Sequence, residues 1–311
     1  MGGSNNSFMA SRRDIMRMGM GTVLAGIWPD YSCANEKIRT RIIPSSAETL
    51  PAIGLGTYGV FDVGASAEER ASCREVLGAL LAAGASLVDS SPMYRRAEQV
   101  SGDLAADLGL TDQIFWATKV WSNGREAGVD QMRQSMRYFQ TDQIDLMQIH
   151  NLRDWKVHMK TLRDWKEQGR IRYIGITHYQ AAAFDELEKV ILEAETDFVQ
   201  LNYSMAERDA EERLLPLCAD KGIATLINRP YQRGGLFRSV EGKSLPDWAG
   251  EFAAHTWGQF FLKYILANPA VTCVIPATSK MEHMLDNLAA GLGGLPGPAH
   301  RKAMIEYISS I

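Results

Sequence analysis

The sequence predicts a parallel (β/α)8 barrel, a TIM barrel, built as one domain over residues 35–311. Apolar strand-like runs alternate with helical segments eight times after Ile38, and several helices are followed by a glycine. Asp89, Lys119 and His150 each stand at the carboxyl end of an apolar run, the edge at which barrel enzymes form their active sites. The 311 residues are 46% hydrophobic and 23% charged, a globular composition, and α/β barrels often exceed ~200 residues as one domain.

The predicted elements follow one another with short connections. A small hairpin over residues 39–51 is expected before the first strand, where it would close the bottom of the barrel. The predicted strands, which stop at turn residues or polar side chains, are residues 53–56, 86–89, 114–119, 144–150, 171–176, 198–202, 223–227 and 271–275. The predicted helices are residues 67–83, 97–108, 126–139, 155–168, 181–195, 210–221, 249–267 and 280–290, followed by one more over 299–308.

The amino-terminal segment has the pattern of an export leader. Arg12-Arg13 precedes a mildly apolar run over residues 18–28, and Ser32-Cys33-Ala34 then supplies small residues at the spacing that a signal peptidase reads. Residues 1–34 therefore resemble a twin-arginine signal peptide that is cut after Ala34. This interpretation implies contact with the export machinery and a periplasmic mature protein. The alternative is an amino-terminal extension in which the arginine pair is incidental.

Charge and cysteine content argue against several classes of protein. The formal net charge is -4, no basic run of the nucleic-acid-binding type occurs, and no stretch reaches the ~18 apolar residues of a membrane span. Cys73, Cys218 and Cys273 follow the leader, an odd number with neither Cys-x-x-Cys nor zinc spacing. Cys218 and Cys273 lie in apolar runs and are predicted to be buried apolar side chains. Neither a disulfide framework nor a metal site is expected.

Tyr94 joins the three strand-end residues to form a chemically coherent set. It lies five residues after Asp89, in the loop above that strand. If the strands are parallel and adjacent, Asp89, Tyr94, Lys119 and His150 share one rim of the barrel. In residue type, order and strand-end context, the set resembles the catalytic tetrad of the aldo-keto reductases, which are NADP(H)-dependent (β/α)8 enzymes.

The resemblance covers residues 53–287 approximately, and it implies a role for each tetrad residue. Reduction of a carbonyl by hydride needs a proton donor, and a tyrosine with a pKa of about 10 donates poorly at neutral pH unless it is tuned. Tyr94 would be the general acid, Lys119 would lower its pKa, and Asp89 would pair with Lys119. His150 would hydrogen-bond the substrate oxygen. The alternative is a buried Asp–Lys ion pair without catalysis.

The same resemblance places a nicotinamide cofactor beside the tetrad. Thr177 and His178 stand where the family usually has a Ser–Asn pair that binds the nicotinamide carboxamide, and Gln200 matches the other carboxamide ligand. Asn228 stands where many relatives stack an aromatic ring on the nicotinamide, so that platform is absent unless Tyr231 substitutes. The expected cofactor-binding residues are Thr57, Thr177, His178, Gln200, Asn228, Arg229, Pro230, Leu236, Thr278, Ser279, Lys280, His283 and Asn287.

The segment before the last barrel helix resembles the site for the adenosine 2′-phosphate. Thr278 and Ser279 are expected to cap that helix, whose amino end favours a phosphate, and Lys280 would neutralise the phosphate. The family's usual Lys and Arg positions fall on Ala277 and His283. NADP(H) is therefore the expected cofactor, with NAD(H) as the alternative.

The substrate pocket is expected to be aromatic. Tyr58 at the end of the first strand and Trp121 just past Lys119 are the predicted pocket aromatics, and Asn151 follows His150. Packing of the rim is the alternative role for both rings. No long tail follows the last predicted helix, so an open pocket is expected. Residues 233–237 would pass near the cofactor pyrophosphate or form only a turn.

The sequence thus predicts an exported NADP(H)-dependent reductase that converts an aldehyde or ketone to an alcohol. A non-catalytic barrel that binds nicotinamide and reports redox state to a partner subunit is an alternative, which turnover of any simple aldehyde would exclude. A metal-dependent barrel hydrolase using His150 and His178 is a third interpretation. That class usually carries His-x-His on strand one, where this chain has Leu55-Gly56-Thr57.

Overall fold

Ten strands and ten α-helices lie in residues 37–311, the part of the chain that the computed structural model describes. The strands are β1 (Thr40–Ile42), β2 (Thr49–Pro51), β3 (Leu55–Gly56), β4 (Leu87–Asp89), β5 (Phe115–Val120), β6 (Ile144–His150), β7 (Ile171–His178), β8 (Phe198–Asn202), β9 (Ala224–Asn228) and β10 (Cys273–Val274). The helices are α1 (Ala67–Ala82), α2 (Ala97–Asp107), α3 (Arg125–Phe139), α4 (Trp155–Glu167), α5 (Phe184–Glu193), α6 (Leu214–Asp220), α7 (Gly235–Ser239), α8 (Trp257–Leu266), α9 (Met281–Ala289) and α10 (Pro298–Ser310).

Strands β3 to β10 form one parallel sheet that closes on itself. They pair in sequence order from β3 to β10, and parallel bridges from Ile53 to Val274 and from Gly56 to Ala277 join the outer strands. Each connection carries at least one helix to the outside of the sheet, as right-handed β–α–β units require. The predicted (β/α)8 class is therefore confirmed.

The hairpin of β1 and β2 fills the amino-terminal end of the barrel. The two strands pair antiparallel, and Ile43 and Leu50 belong to the same buried apolar cluster as the interior residues Leu87, Phe115 and Leu146. The predicted hairpin and its position are confirmed. Because apolar side chains fill the lower half of the barrel, polar chemistry is confined to the opposite, carboxyl-terminal end.

Alternation along the strands determines which side chains reach that end. Successive strand residues point to opposite faces, and Phe115 and Ala117 on β5 face the interior cluster. The next residue in this phase is Lys119. On β6, the interior residue Leu146 is followed in the same phase by Gln148 and His150. The polar residues of the upper barrel thus point to the barrel interior, as do the apolar residues two or four positions before them on the same strand.

The helix predicted over residues 249–267 is wrong as one continuous element. A 3₁₀ helix, Asp247–Phe252, precedes α8, and Ala253 between them adopts a left-handed conformation with φ 55°. Thr256 then accepts a hydrogen bond from Gln259 N and starts α8. The Thr-x-x-Gln spacing is a sequence signature of a helix start, so the sequence contained a signal for a helix that begins after Thr256.

The helix predicted over residues 210–221 is also divided. A 3₁₀ turn, Asp209–Glu211, is followed by α6, and Arg213 between them is non-helical, with φ -137°. Pro216 explains the break, because its ring would clash with the carbonyl of the residue four positions earlier in a continuous helix. The residue is tolerated where it stands, in the first turn of α6.

Two further expectations concern the predicted leader and the cysteines. The twin-arginine leader falls outside the described residues. Cys73, Cys218 and Cys273 are unpaired and fully buried, and burial raises the thiol pKa of each, so the two predicted to be apolar core residues are confirmed as such. Within residues 37–311, no helix combines the length and apolar character that crossing a membrane requires.

Candidate active site

An ion pair between Asp89 and Lys119 lies at the centre of the carboxyl-terminal end. Lys119 Nζ donates to Asp89 Oδ2 at 2.7 Å and to the carbonyl oxygen of Ser90 at 2.7 Å. Lys119 is fully buried, and Asp89 is 3% exposed. Burial lowers the pKa of Lys119, and the charge of Asp89 opposes that shift. A buried ion pair of this kind persists only when both partners remain in place.

Two glutamines hold the second oxygen of Asp89, and one of them was not predicted. Gln148 Nε2 and Gln200 Nε2 donate to Asp89 Oδ1 at 3.0 and 2.9 Å. Gly175 on β7 leaves room for this arrangement, because a Cβ there would lie 2.7 Å from Gln148 Cγ. The interior phase of Gln148, two residues before His150, was the sequence signal that could have identified it.

The Tyr94 ring lies between the ion pair and the solvent. It sits at the end of the 3₁₀ turn Pro92–Tyr94, with Lys119 Nζ 5.3 Å from its centroid. The rings of Tyr58 and His150 meet it edge-on, with centroid distances of 5.0 and 6.1 Å. The structure therefore brings Asp89, Tyr94, Lys119 and His150 to one rim.

The pKa of Tyr94 corrects one expectation. Burial, and next the negative charge of Asp89, raise the phenol pKa above its ordinary value, whereas Lys119 was expected to lower it. Lys119 is paired with Asp89 at 2.7 Å, so its charge does not offset the cost of burying a phenolate close to Asp89. In this state Tyr94 retains its proton.

His150 is neutral, and its Nδ1 is hydrogen-bonded to Ser91. Burial, followed by the charges of Lys119 and His178, lowers the pKa of His150 to about 3. Ser91 Oγ accepts the N–H of Met93 at 3.2 Å and lies 3.0 Å from His150 Nδ1, where its hydroxyl can donate to Nδ1 or accept from it. When Nδ1 accepts, the imidazole proton resides on Nε2. Sequence reasoning missed Ser91, because its role depends on the turn geometry.

Glu98 is a second buried carboxyl behind Lys119, and it was also missed. Burial raises the pKa of Glu98 to about 7, while hydrogen bonds from Thr118 and Ser135 and the charge of Lys119 oppose the shift. Thr118 Oγ1 donates to Glu98 Oε1 at 2.5 Å. The side chain is 1% exposed on α2. Because α2 is only weakly amphipathic, the sequence pattern did not predict that Glu98 is buried.

Buried amide oxygens without partners lie next to the tetrad. Thr177 Oγ1 and Asn228 Nδ2 donate to Gln200 Oε1 at 3.3 and 3.4 Å, so these three residues form one group. The Oδ1 atoms of Asn228 and Asn202 are buried and receive no hydrogen bond. Unpaired buried acceptors are rare because each costs about 1–3 kcal/mol. A ligand with amide N–H donors fits these positions.

Thr57 and His178 lie at the carboxyl ends of β3 and β7. Thr57 is buried, with its Oγ1 3.0 Å from the carbonyl oxygen of Asp89 and 2.9 Å from Ser90 Oγ, so its hydroxyl ties β3 to β4. His178 lies half-exposed at the end of β7, and its Nδ1 accepts the N–H of Gln180 at 3.3 Å. Burial lowers the pKa of His178.

The segment after β9 is short helix rather than loop. A 3₁₀ turn, Gln232–Gly234, leads into α7, and the side chain of Leu236 is buried. Pro230 is also buried, and Arg229 has a buried Nε without a partner. Tyr231 points its hydroxyl at Asn287 Oδ1, at 2.6 Å, so this end of the ring is held against α9.

The expected capping of the last barrel helix is wrong. The residue that precedes α9 is Lys280, which makes no side-chain cap, and Thr278 Oγ1 accepts the N–H of Lys280 itself at 3.0 Å. The turn at Thr278 and Ser279 therefore ends one residue before the helix, because the hydroxyl is used within the turn. Lys280 and His283 are exposed. Lys280 Nζ lies 3.8 Å from Glu282 Oε1, a weak exposed pair.

The predicted pocket residues lie in the loops after β3, β5 and β6, at the same end of the barrel as the tetrad. Tyr58 is 55% exposed and meets the Tyr94 ring, and Trp121 lies beneath the guanidinium of Arg153, 4.5 Å from Cζ to the ring centroid. Asn151 adopts a left-handed conformation with φ 52°, and its Oδ1 is buried without a partner. Of the three, only Tyr58 contacts the ring of Tyr94.

Comparison with known proteins identifies one family. The family model described as the aldo/keto reductase family matches residues 52–296. An aldo-keto reductase of Bacillus subtilis, YhdN, is 29% identical over 199 residues, which are 59% of this chain and 59% of that protein. The methylglyoxal reductase YeaE of Escherichia coli is 27% identical over 250 residues, covering 78% of this chain and 85% of that protein. The chain thus matches under two thirds of the first relative's length and most of the second.

Solved structures share the fold. The aldo-keto reductase AKR11C1 from Bacillus halodurans, in its holo form, superimposes with a TM-score of 0.70 at 21% identity, covering 87% of this chain and 96% of that one. An aldo/keto reductase from Klebsiella pneumoniae in complex with NADP and acetate gives a TM-score of 0.70 at 24% identity, covering 84% and 93%.

Proposed function

The chain belongs to the aldo/keto reductase family, and from this premise we propose that it reduces an aldehyde or ketone to the alcohol with NADP(H). The observation that carries the proposal is the position of Tyr94 between a buried Asp89–Lys119 pair and an aromatic pocket, next to neutral His150. A proton donor and an uncharged imidazole, which can hydrogen-bond a carbonyl oxygen, lie next to each other there.

The residues around the tetrad fit a nicotinamide cofactor. The orphaned Oδ1 of Asn228, with Thr177 and Gln200, can accept and donate hydrogen bonds to a carboxamide. The buried Nε of Arg229 is free for a phosphate oxygen. Residues 278–287 would hold the adenosine end. When bound, the cofactor would supply the hydride that the carbonyl carbon accepts. The structural relative from Klebsiella pneumoniae is described in complex with NADP, which supports this choice.

Tyr94 would give its proton to the carbonyl oxygen. The raised pKa of the phenol keeps the proton on Oη at neutral pH until negative charge develops on the substrate oxygen. Once the proton has left, the buried ammonium of Lys119 stabilises the phenolate, and Asp89 keeps that ammonium in place. A proton from solvent then restores the phenol.

His150 would orient the carbonyl. Its low pKa keeps the imidazole neutral, and in this proposal Ser91 donates to Nδ1, which leaves the proton on Nε2 as a donor. A neutral donor polarises the carbonyl without competing with Tyr94 as an acid. The edge-on contact of the two rings, with a centroid distance of 6.1 Å, supports the proposal that both residues act on one carbonyl oxygen.

A direct assay tests the proposed reaction. The purified protein should oxidise NADPH when supplied with methylglyoxal, the substrate named for two relatives, or with a simple aldehyde. The alternative of a non-catalytic nicotinamide-binding subunit requires cofactor binding without turnover of any carbonyl compound. Cofactor affinity measured beside turnover separates the two, and absence of both would remove the proposal.

The described residues do not support the alternative of a metal-dependent hydrolase. Within residues 37–311, no group of three or more His, Cys, Asp or Glu side chains is arranged to hold a metal ion, and His150 Nδ1 is engaged by Ser91. Metal analysis of the purified protein remains the distinguishing measurement for that class.

We further propose that the protein is exported. The support is the sequence pattern of residues 1–34, with Arg12-Arg13 ahead of an apolar run and a small-residue cleavage site after it. Replacement of both arginines by lysine is expected to retain precursor in the cytoplasm, as read by fractionation. Amino-terminal sequencing of the mature native protein should begin after Ala34; a mature chain that begins at Met1 would end this proposal.

A further inference from the structure

Two arginines cover the two aromatic rings of the pocket. Arg153, from the loop after β6, lies over Trp121 with 4.5 Å between Cζ and the ring centroid. Arg233, from the segment after β9, lies over Tyr58 at 5.5 Å. Tyr58 in turn meets Tyr94 edge-on at 5.0 Å. Arg233 therefore adjoins the Tyr58–Tyr94 pair, and Arg153, whose backbone N–H donates to the carbonyl oxygen of His150 at 3.2 Å, lies beside the other ring of the tetrad.

Neither guanidinium forms an ion pair with a carboxylate of residues 37–311. Arg153 Nε donates to Asn123 Oδ1 at 2.8 Å, which fixes the plane of the group and leaves its terminal N–H groups available. Asp62 pairs with two other arginines, and Asp154, whose Oδ2 accepts the N–H of Gly124 at 2.7 Å, forms no ion pair with Arg153. Neither guanidinium is therefore engaged by a direct ion pair within residues 37–311.

The chain as a whole is acidic, with a formal net charge of -4. A cationic opening on an acidic protein concentrates anions at that opening and disfavours them elsewhere. The planar guanidinium fork matches the two oxygens of a carboxylate, and a half-buried position beside an indole ring shields the contact from water. These features distinguish Arg153 from an exposed surface arginine.

We infer that the substrate is a carbonyl compound that also carries a carboxylate. Its carbonyl oxygen would lie between Tyr94 and His150, and its carboxylate would bind Arg153, with Arg233 adding charge from the opposite side. This inference rests on the proposed function, because it names the substrate class of the same site. It does not follow from the relatives, two of which are named for methylglyoxal, a dicarbonyl compound without a carboxylate.

A matched pair of substrates tests the inference. 4-Oxobutanoate and butanal have the same chain length and the same aldehyde, and they differ only in the carboxylate. With NADPH, kcat/KM should be at least about tenfold higher for 4-oxobutanoate, since a charge-assisted contact is worth roughly a decade or more. Raising the salt concentration should reduce this preference, because the opening attracts the substrate electrostatically.

Arg153→Leu should lower kcat/KM for 4-oxobutanoate about 10- to 100-fold, and the value for butanal should stay within about twofold. Arg170→Leu is the matched control, because Arg170 is also half-buried over a tryptophan, Trp165, at 5.3 Å. It precedes β7 at the opposite end of the barrel. Both activities should be unchanged in that variant.

Calorimetry separates this inference from the proposed function. Binding of 4-oxobutanoate to the protein with NADP⁺ present needs no turnover, and Arg153→Leu should weaken it by the same factor as kcat/KM. Tight carboxylate binding without turnover would support the inference and remove the proposed function. Equal kcat/KM for the two aldehydes, or a preference that survives Arg153→Leu with Arg233→Leu, would overturn the inference. So would a matching loss of NADPH affinity in Arg153→Leu.

Discussion

The two sides of the barrel opening differ in how completely their polar groups are paired. On the tetrad side, formed by Asp89, Tyr94, Lys119 and His150, Asp89 accepts hydrogen bonds from three side chains at 2.7, 3.0 and 2.9 Å. On the proposed cofactor side, which comprises residues 228–230, Leu236 and residues 278–287, Asn228 Oδ1 and Arg229 Nε are buried without partners. Lys280 is exposed with only a weak carboxylate contact.

The difference separates polar groups whose positions are already fixed by hydrogen bonds from polar groups that can still bind a ligand. A fully paired buried network is rigid, whereas an unpaired buried polar atom is retained at a cost of about 1–3 kcal/mol. We therefore expect substitutions on the tetrad side to act on the chemical step. Substitutions on the cofactor side should act on ligand affinity.

Tyr94→Phe tests this division with the largest expected effect. The change removes the proposed proton donor and keeps the ring against Tyr58 and His150. General acid catalysis typically contributes about 10²–10⁴-fold, so kcat should fall by that factor. The dissociation constant for NADPH, measured by fluorescence titration, should change less than about threefold. Tyr307→Phe on α10, which belongs neither to the tetrad nor to the proposed cofactor and substrate residues, serves as the control, and near-normal turnover of Tyr94→Phe would refute the assignment.

Glu98→Gln tests how strongly the tetrad side is desolvated. The folded pKa, about 7, is raised above the unfolded value of 4.5, so the neutral carboxyl favours folding fully below pH 4.5. This stability is lost as pH rises through about 7. At about 1.4 kcal/mol per pKa unit, the loss is roughly 3 kcal/mol, and the substitution should abolish it because the amide does not ionise.

Urea denaturation at pH 5 and pH 8 measures this effect. The free energy of unfolding of the wild type should fall more between the two pH values than that of Glu98→Gln. Glu75→Gln, at an exposed position of α1, is the control and should behave as the wild type does. A pH dependence that is identical in the wild type and Glu98→Gln would show that Glu98 is ionised in the folded protein at both pH values.

Lys280→Ala tests the cofactor side. Lys280 is the permanent cation proposed for the 2′-phosphate, and Thr278, which accepts its N–H, holds the residue at the start of α9. One charge-assisted contact is worth about 1.5–3 kcal/mol, so the preference for NADPH over NADH should be about 10- to 150-fold and mostly lost in the variant. Dissociation constants for both cofactors decide the matter, and equal losses for NADPH and NADH would show that Lys280 does not recognise the phosphate.

The sequence predicted the fold and the tetrad residues, but fewer of the details of the site. Strand ends and helix-closing glycines predicted the barrel, and chemistry at the strand ends predicted Asp89, Lys119 and His150. Gln148 could have been found by following the interior phase of β6. The direction of the Tyr94 pKa could not, because it depends on how much charge Asp89 removes from Lys119 and on burial, neither of which is visible in a linear pattern.

Ser91→Ala has the smallest expected effect and tests the tetrad side most directly. Ser91 Oγ accepts from Met93 and, in the proposed mechanism, donates to His150 Nδ1, so that the imidazole proton is on Nε2 and can reach the substrate oxygen. Without this hydroxyl the Nδ1–H tautomer becomes available, and the fraction of protein with the productive donor falls. A neutral hydrogen bond contributes about 0.5–1.5 kcal/mol, so kcat should fall roughly 2- to 12-fold with unchanged NADPH affinity.

A spectroscopic measurement distinguishes tautomer control from a packing role for Ser91. In ¹⁵N spectra, the wild-type His150 should show a protonated Nε2 and an unprotonated Nδ1, and Ser91→Ala should show exchange toward the other tautomer. Ser91→Thr retains the hydroxyl and should restore both the spectrum and most of kcat. If His150 carries its proton on Nδ1 in the wild type, the hydrogen bond runs from the imidazole to Ser91, and the donor to the substrate must be assigned elsewhere.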